Sequence, residues 1–358
     1  MNIKHTFEGQ NKKENKMNIN KKRKQKSAIH TTIARIALVT IMGGLLLSAC
    51  GADEPQVYRV GILSGLDFFA DSVASFQAEM TELGYVEGEN IVYDVHTMNV
   101  DMAAYRSALQ GFVEDEVDLI FVFPTEAAAE AKAATEGTDI PVLFANSQIE
   151  GSGLVNSVRE PGGNITGVRL PGPEIALRNL DILRQLAPEA ERILVPYQRD
   201  YPIGVAMVEA LHPAAEAAGI TLIELPASTA AELETELQAR AESGDIGLDA
   251  IVLIPGPLAG TPDCFMALTT FAAEHKVPIG GAIMDVGDHG SIFEVNIDPV
   301  ATGKQAAPLA DKILKDTPAG EIPVVSAENY IKIDYRVAQE LGVELPESLL
   351  GMAAEIIR

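Results

Sequence analysis

The sequence predicts an α/β protein with parallel sheets laid out in two halves, and three observations carry that expectation. Short apolar runs alternate with helix-period segments through nearly all of the chain after residue 56. Strict alternation of this kind is the pattern of parallel strands with helices on both faces. Residues 118–123, Asp-Leu-Ile-Phe-Val-Phe, are almost wholly apolar, as a strand covered on both faces should be. Finally, Pro161-Gly-Gly-Asn-Ile-Thr-Gly-Val168 interrupts the series near its middle, and the alternation then starts afresh. Its proline and glycines form a turn that no helix continues through, and its β-branched end reads as a short strand. Such a stretch suits a crossover between two lobes. It also suits a loop within one larger α/β domain, and pattern alone leaves both open.

The N-terminus is of a different kind. Residues 1–30 are polar and basic, with a second candidate start at Met17. Ile33 to Leu47 is apolar, and the segment ends Leu47-Ser-Ala-Cys50-Gly51. A basic region, a short apolar region and small residues before a cut site make a secretory signal. A run of fifteen residues is too short for a membrane span. The small residues before Cys50 resemble the lipobox of bacterial lipoproteins, in which the cysteine is lipidated and becomes the first residue. The alternative is a plain signal peptide with an incidental cysteine. Residues 1–50 are thus expected to be removed up to the lipidated Cys50, and 51–56 to form a tether. Ten of the 27 basic and two of the 51 acidic residues precede Cys50, which leaves 17 against 49 and a formal charge of −32. Nucleic acid and anionic headgroups are poor partners for such a surface. With Cys50 assigned to lipid, Cys264 is alone and no intrachain disulfide forms. About 300 residues suffice for two domains resting on ordinary cores.

The elements follow in order. Residues 57–63 read as the first strand and 64–67 as a loop. Phe69, Val73, Phe76, Met80 and Leu83 share one helical face, and Gly84 stops that helix. Strands are expected at 90–95, 118–123, 140–145 and 154–158, with helices over 101–113 and from Pro124-Thr125 onward. After the central turn come helices at 173–186, 205–218, 230–242 and 262–275, with strands at 192–196, 220–225, 249–254 and 277–283. A strand at 291–295, a helix at 298–315, a strand at 330–333 and helices at 336–341 and 347–357 close the chain.

The stretch Gly153-Leu-Val-Asn-Ser-Val-Arg-Glu-Pro-Gly-Gly-Asn-Ile-Thr-Gly-Val168 resembles the signature of a family of ABC-importer substrate-binding lipoproteins that includes tryptophan and other aromatic amino-acid binders. Glu82–Asn90, Asp118–Ala128, Asp139–Phe144 and Arg336–Leu350 resemble the same family in order. The resemblance implies a type I periplasmic-binding-protein architecture: two Rossmann-like lobes joined by three crossovers at the hinge, with a ligand between them. The crossovers map to about 168–172, 296–298 and 326–329. Lobe one then comprises 57–168 plus about 297–326, and lobe two about 169–296 plus 327–358. The sequence departs from the family at Asn146-Ser147, Tyr197-Gln198 and Pro255-Gly-Pro257, where the ligand should sit.

Ligands of open parallel sheets bind beyond the C-terminal ends of the strands. That rule selects the loops 64–69, 124–126 and 146–148 in lobe one and 197–201, 255–260 and 281–285 in lobe two. Within them Ser64, Asp67, Thr125, Asn146 and Ser147, and Tyr197, Tyr201, Pro255 and Asp285, are the candidates. Thr125 opens a helix after an apolar strand, so its hydroxyl and the next amides suit a carboxylate; it also suits a plain N-cap. Tyr197 and Tyr201 offer faces for stacking or for an ammonium, or pack at a lobe edge. Asp67 and Asp285 suit an ammonium, or are simply solvated.

Enzymatic readings find little support. Gly-x-Ser-x-Gly, P-loop and His-Glu-x-x-His motifs are absent. Cys264 and His275 on one helix stand about 16 Å apart, beyond hydrogen-bond reach. Asp285, Asp288 and His289 are half a metal site without a second cluster. The expectation is a monomeric, lipid-anchored receptor on the extracytoplasmic face of the cell membrane. It has no cofactor, metal or catalysis, and delivers a small amino-acid-like solute to an ABC permease and ATPase. The alternative is a sensory module that feeds a signalling partner.

Overall fold

A strand in the middle of a two-faced sheet has nowhere to put a polar side chain, and Leu119–Phe123 (β3) has none: all five residues are buried. A computed structural model describes residues 56–66 and 69–358; the signal segment, Cys50 and most of the tether lie outside the described residues. The first sheet has six strands in the order β11-β5-β4-β3-β1-β2, all parallel. They are β1 (Tyr58–Ser64), β2 (Ile91–Thr97), β3, β4 (Val142–Ser147), β5 (Ile165–Arg169) and β11 (Val325–Ser326). Alternate β3 side chains serve opposite layers. Leu119, Phe121 and Phe123 join Phe76, Val73 and Ala306, from α1 (Ala70–Glu82) and α8 (Pro299–Leu314). The Phe76 ring stacks on Phe121 at 4.3 Å. Ile120 and Val122 meet Tyr105, Leu109 and Ala127, from α2 (Met102–Glu114) and α3 (Thr125–Ala134). Gly303 permits the close approach of α8 to α1, because a Cβ there would lie 2.9 Å from the Phe76 nitrogen.

The second sheet is also parallel, in the order β7-β6-β8-β9. It comprises β6 (Arg192–Gln198), β7 (Thr221–Ala227), β8 (Ala250–Val252) and β9 (Ile279–Gly280), with helices α4 (Gly172–Leu186), α5 (Pro202–Ala217), α6 (Ala230–Glu242) and α7 (Pro262–His275). A small third sheet, β10-β12-β13, joins β10 (Phe293–Ile297) antiparallel to β12 (Asn329–Asp334), and β12 parallel to β13 (Glu355–Ile357). A bridge from Gly281 to Glu294 ties it to the end of β9. Helices α9 (Tyr335–Leu341) and α10 (Glu347–Met352) complete the chain.

The chain passes between the sheets three times: after β5, between β10 and α8, and between β11 and β12. These crossings are bonded to one another. The Ala327 amide donates to the Arg169 carbonyl at 2.9 Å, and the Asp298 amide to the Glu328 carbonyl at 3.2 Å. Asp298 also caps α8, its carboxylate accepting the Val300 and Ala301 amides.

Three local expectations fail. Residues 154–158 form no strand; Leu154 is buried in a loop, and the Val158 carbonyl accepts the Val324 amide instead of entering a ladder. The expected strand 277–283 shrinks to Ile279–Gly280. The final helix stops at Met352, and Glu355–Ile357 adds to the free edge of β12, with the Ala354 amide donating to the Ile331 carbonyl at 2.8 Å.

Candidate functional site

The C-terminal strand ends of the first sheet gather the polar residues singled out from the sequence. Ser64 is fully buried and its hydroxyl donates to the Leu66 carbonyl at 3.3 Å; Asp67 lies outside the described residues. Thr125 is the first residue of α3, and Pro124 occupies the cap position. The hydroxyl oxygen of Thr125 accepts the Gln148 amide at 3.0 Å, joining the end of β3 to the end of β4. Ser147 is fully buried and donates to the Ala145 carbonyl at 2.9 Å.

Asn146 has φ 49°, a left-handed conformation that asparagine tolerates better than most residues. Its carboxamide nitrogen donates to Ser72 Oγ at 3.1 Å, and that hydroxyl donates to the Pro299 carbonyl at 2.9 Å. The serine proton is committed, so the amide nitrogen faces Ser72 and Asn146 Oδ1 faces away. That oxygen is buried and has no donor among the described residues.

The structure gives roles to Gln148 and Glu126, which lay in the selected loops without being singled out, and to Arg169, which the sequence did not mark. Gln148 is fully buried and reaches across to the second sheet's helices, its Nε2 donating to the Ile203 carbonyl at 3.2 Å and to the Glu150 carbonyl at 3.3 Å. Its Oε1 has no donor among the described residues and abuts Gly172, where a Cβ would lie 2.7 Å from Gln148 Cδ. Glu126, in the first turn of α3, accepts the Tyr201 hydroxyl at 3.0 Å. Burial first, then the Glu126 charge, pushes the Tyr201 phenol above its ordinary range, so it stays a neutral donor. Arg169 ends β5 with its side chain only 11% exposed. Its guanidinium pairs with Glu150 and Glu174, and its Nε donates to Ser326 Oγ at 2.9 Å. One cation thus binds the loop after β4, the start of α4 and the β11 crossover. A charged residue closing an all-buried strand was the sequence signal that could have found it.

On the second sheet, Tyr197, Tyr201, Gly204, Pro255 and Leu258 line a small pocket of ≈ 10 Å³, room for about one water. The Tyr197 hydroxyl is engaged within its own sheet, donating to Glu224 Oε2 on β7 at 3.1 Å. Asp285 is exposed beside Arg336, in a loop held to α9 by His289, whose Nδ1 lies 2.7 Å from Glu340 Oε1. The structure therefore gathers Ser64, Thr125, Asn146 and Ser147, places Tyr201 against them through Glu126, and leaves Asp285 apart.

Around the crossing from β5 to α4, two carboxylates (Glu150 and Glu174) pair with one guanidinium, and a third, Glu126, accepts the Tyr201 hydroxyl. A reactive nucleophile is not among these groups. Elsewhere, the buried Cys264 thiol is pushed up by desolvation and stays protonated, and the His275 ring lies 4.5 Å from that of Phe271. Among the described residues, no cluster of three His, Cys, Asp or Glu could hold a metal, and no helix is long and apolar enough to cross a membrane.

Known proteins share this frame. The Tyrosine-binding protein of Clostridioides difficile is 27% identical over 259 residues, 71% of this chain and 71% of its own length. An ABC domain from Streptococcus pneumonia, solved in complex with L-Trp, superposes with a TM-score of 0.70 at 24% identity, covering 84% of this chain and 100% of that one. A ligand-free, open substrate-binding protein with adhesive properties from Clostridium difficile gives 0.67 at 23% identity, covering 84% and 99%. These structures share the fold, two parallel-sheet lobes of the type I periplasmic-binding kind. A family model described as ABC transporter substrate binding protein matches residues 64–357, and the chain belongs to that family.

Proposed function

We propose that this protein is the extracytoplasmic solute receptor of an ABC importer. In this reading it is anchored by lipid on Cys50 and acts as a monomer. It closes on a small amino-acid-like solute between a lobe of residues 57–168 with 297–326 and a lobe of residues 169–296 with 327–358. The supporting observation is the meeting of two parallel sheets across polar strand ends, bridged by Tyr201 to Glu126 and by Gln148 to Ile203. Ligands of such sheets sit at the carboxyl ends of strands, and a ligand touching both lobes favours their closure. Thr125, Asn146, Ser64 and Ser147 are the first-lobe candidates, with Tyr201, Tyr197 and Pro255 opposite. The relative named for tyrosine and the neighbour solved with L-Trp make aromatic amino acids the first ligands to try. The receptor performs no turnover and hands its solute to a permease driven by an ATPase.

A thermal-shift screen of the amino acids, followed by calorimetry of the hits, tests this reading. A ligand in large excess over its Kd stabilises the protein by about 2.7 kcal/mol at a hundredfold excess. No shift with any amino acid would reject the solute class.

A further inference from the structure

We propose that the first-lobe half of the cleft takes the cationic, hydrogen-donating end of the ligand, a protonated amine, and not a carboxylate. The proposal rests on the cleft reading above and names the chemistry of one side of it. Asn146 is 2% exposed and Gln148 fully buried, yet among the described residues Asn146 Oδ1 and Gln148 Oε1 have no donor. Their orientation is dictated by their neighbours. Asn146 must turn its nitrogen to Ser72, whose proton goes to Pro299, and Gln148 must turn its nitrogen to two carbonyls. Glu150 Oε2 is a third buried acceptor without a donor among the described residues. Buried polar atoms are nearly always paired, and three orphan acceptors within five residues ask for a donor.

Charge points the same way. The N-terminal end of α3 is where an anion would bind, but Glu126 already places a carboxylate in that first turn. Glu150 and Glu174 pair with the Arg169 guanidinium, Glu126 adds a carboxylate whose bonded partner is the neutral Tyr201 hydroxyl, and the chain beyond Cys50 carries 49 acidic against 17 basic residues. Such a field attracts cations and repels carboxylates. Because Gln148 Oε1 abuts Gly172, the direct contacts fall to Asn146 Oδ1 and the Glu126 carboxylate. The ammonium of an amino acid is one group of this class; a primary amine without a carboxylate is another.

Calorimetry on the purified full-length chain tests it with five probes: L-tyrosine, tyramine, 3-(4-hydroxyphenyl)propionate, spermidine and glutarate. An amine-bearing probe should bind, and the carboxylate-only probes should bind at least about tenfold more weakly or not at all. Asn146→Gly keeps the left-handed backbone and removes the acceptor; Glu126→Gln keeps the shape and removes the charge. Each should weaken the amine by about ten- to a hundredfold, the range for a hydrogen bond to a charged group. Should Asn146→Gly fail to fold, Glu126→Gln carries the test. Failure of L-tyrosine with binding of tyramine or spermidine would sink the amino-acid reading and leave this proposal standing. Equal binding of L-tyrosine and its carboxylate-only analogue would do the reverse. Failure of all five probes, or unchanged affinity in both variants, overturns the proposal.

Discussion

Arg169 is the single side chain whose removal should loosen the hinge most. Its guanidinium is 11% exposed, against 30% for the Glu150 side chain and 52% for Glu174. Replacing it by methionine keeps most of the volume and deletes the charge. Removing one partner of a buried pair costs about 3–5 kcal/mol, because the other charge is left uncompensated. Glu150 fits that case only in part, since water reaches some of it, so its arm falls near the low end. The half-exposed Glu174 arm adds no more than about 1 kcal/mol. The expected loss is about 3 kcal/mol, read from urea denaturation at neutral pH. Glu150→Gln removes the stranded charge, so in the Arg169→Met background it should restore about 1–2 kcal/mol, the size of coupling found between contacting residues. An Arg169→Met variant within about 0.5 kcal/mol of the parent, or strict additivity with Glu150→Gln, would refute the picture of one cation clamping the crossings.

Three further outcomes are expected. Glu294 is buried on β10 and its carboxyl is raised, chiefly by desolvation. The folded state therefore holds its proton to higher pH than the unfolded chain does, and this group's contribution to stability falls as pH rises from the ordinary glutamate range through the raised value. Glu294→Gln removes that dependence, so denaturation midpoints at pH 4 and pH 7 should move in the variant's favour as pH increases; a constant difference would contradict it. At Gly167 a Cβ would sit 2.5 Å from the Phe144 ring and nearer still to its carbonyl oxygen, so Gly167→Ala should cost about 3 kcal/mol or more in chemical denaturation, at the upper end for overpacking, and an unchanged midpoint would show that β4 and β5 can part. Cys50→Ser should abolish lipid labelling and release the protein from membranes, and equal retention of the variant would remove the lipoprotein reading.

What could be read from the sequence depended on how local its cause was. The strand at Leu119–Phe123 announces itself because two covered faces leave only apolar residues. Asn164 to Val168 read as a strand for its β-branched residues, and Ile165–Arg169 is one. Leu154 misled because burial looks the same in a loop as in a ladder; its backbone partners are set by Val158 meeting Val324, far along the chain. Glu355–Ile357 misled because nothing local distinguishes a helix end from a tail that finds an open sheet edge. The strand-end rule selected Thr125, Asn146 and Tyr201 by position, without knowledge of their partners. Two of those partners lie far away in sequence: Glu126 is 75 residues from Tyr201, and Ser72 is 74 from Asn146. Tyr197 illustrates the converse, since its position was legible and the direction of its hydroxyl, toward Glu224, was not.

The late return of the chain to the first sheet bears on how the protein is made. Residues 299–326 supply α8 and β11, yet they are synthesised after every strand of the second sheet. Until they arrive, Phe76, Val73 and Phe121 lack Ala306, Ala307 and Ala310 above them, and β5 lacks its outer neighbour. A chain emerging N-terminus first must therefore carry an unfinished first lobe through most of its own synthesis. The contacts that finish it close loops of more than 200 residues, as when Ser72 meets Pro299, and such long closures slow folding. An arrested nascent chain ending before Pro299 should remain protease-sensitive in residues 57–168, while one extended past Ser326 becomes resistant there.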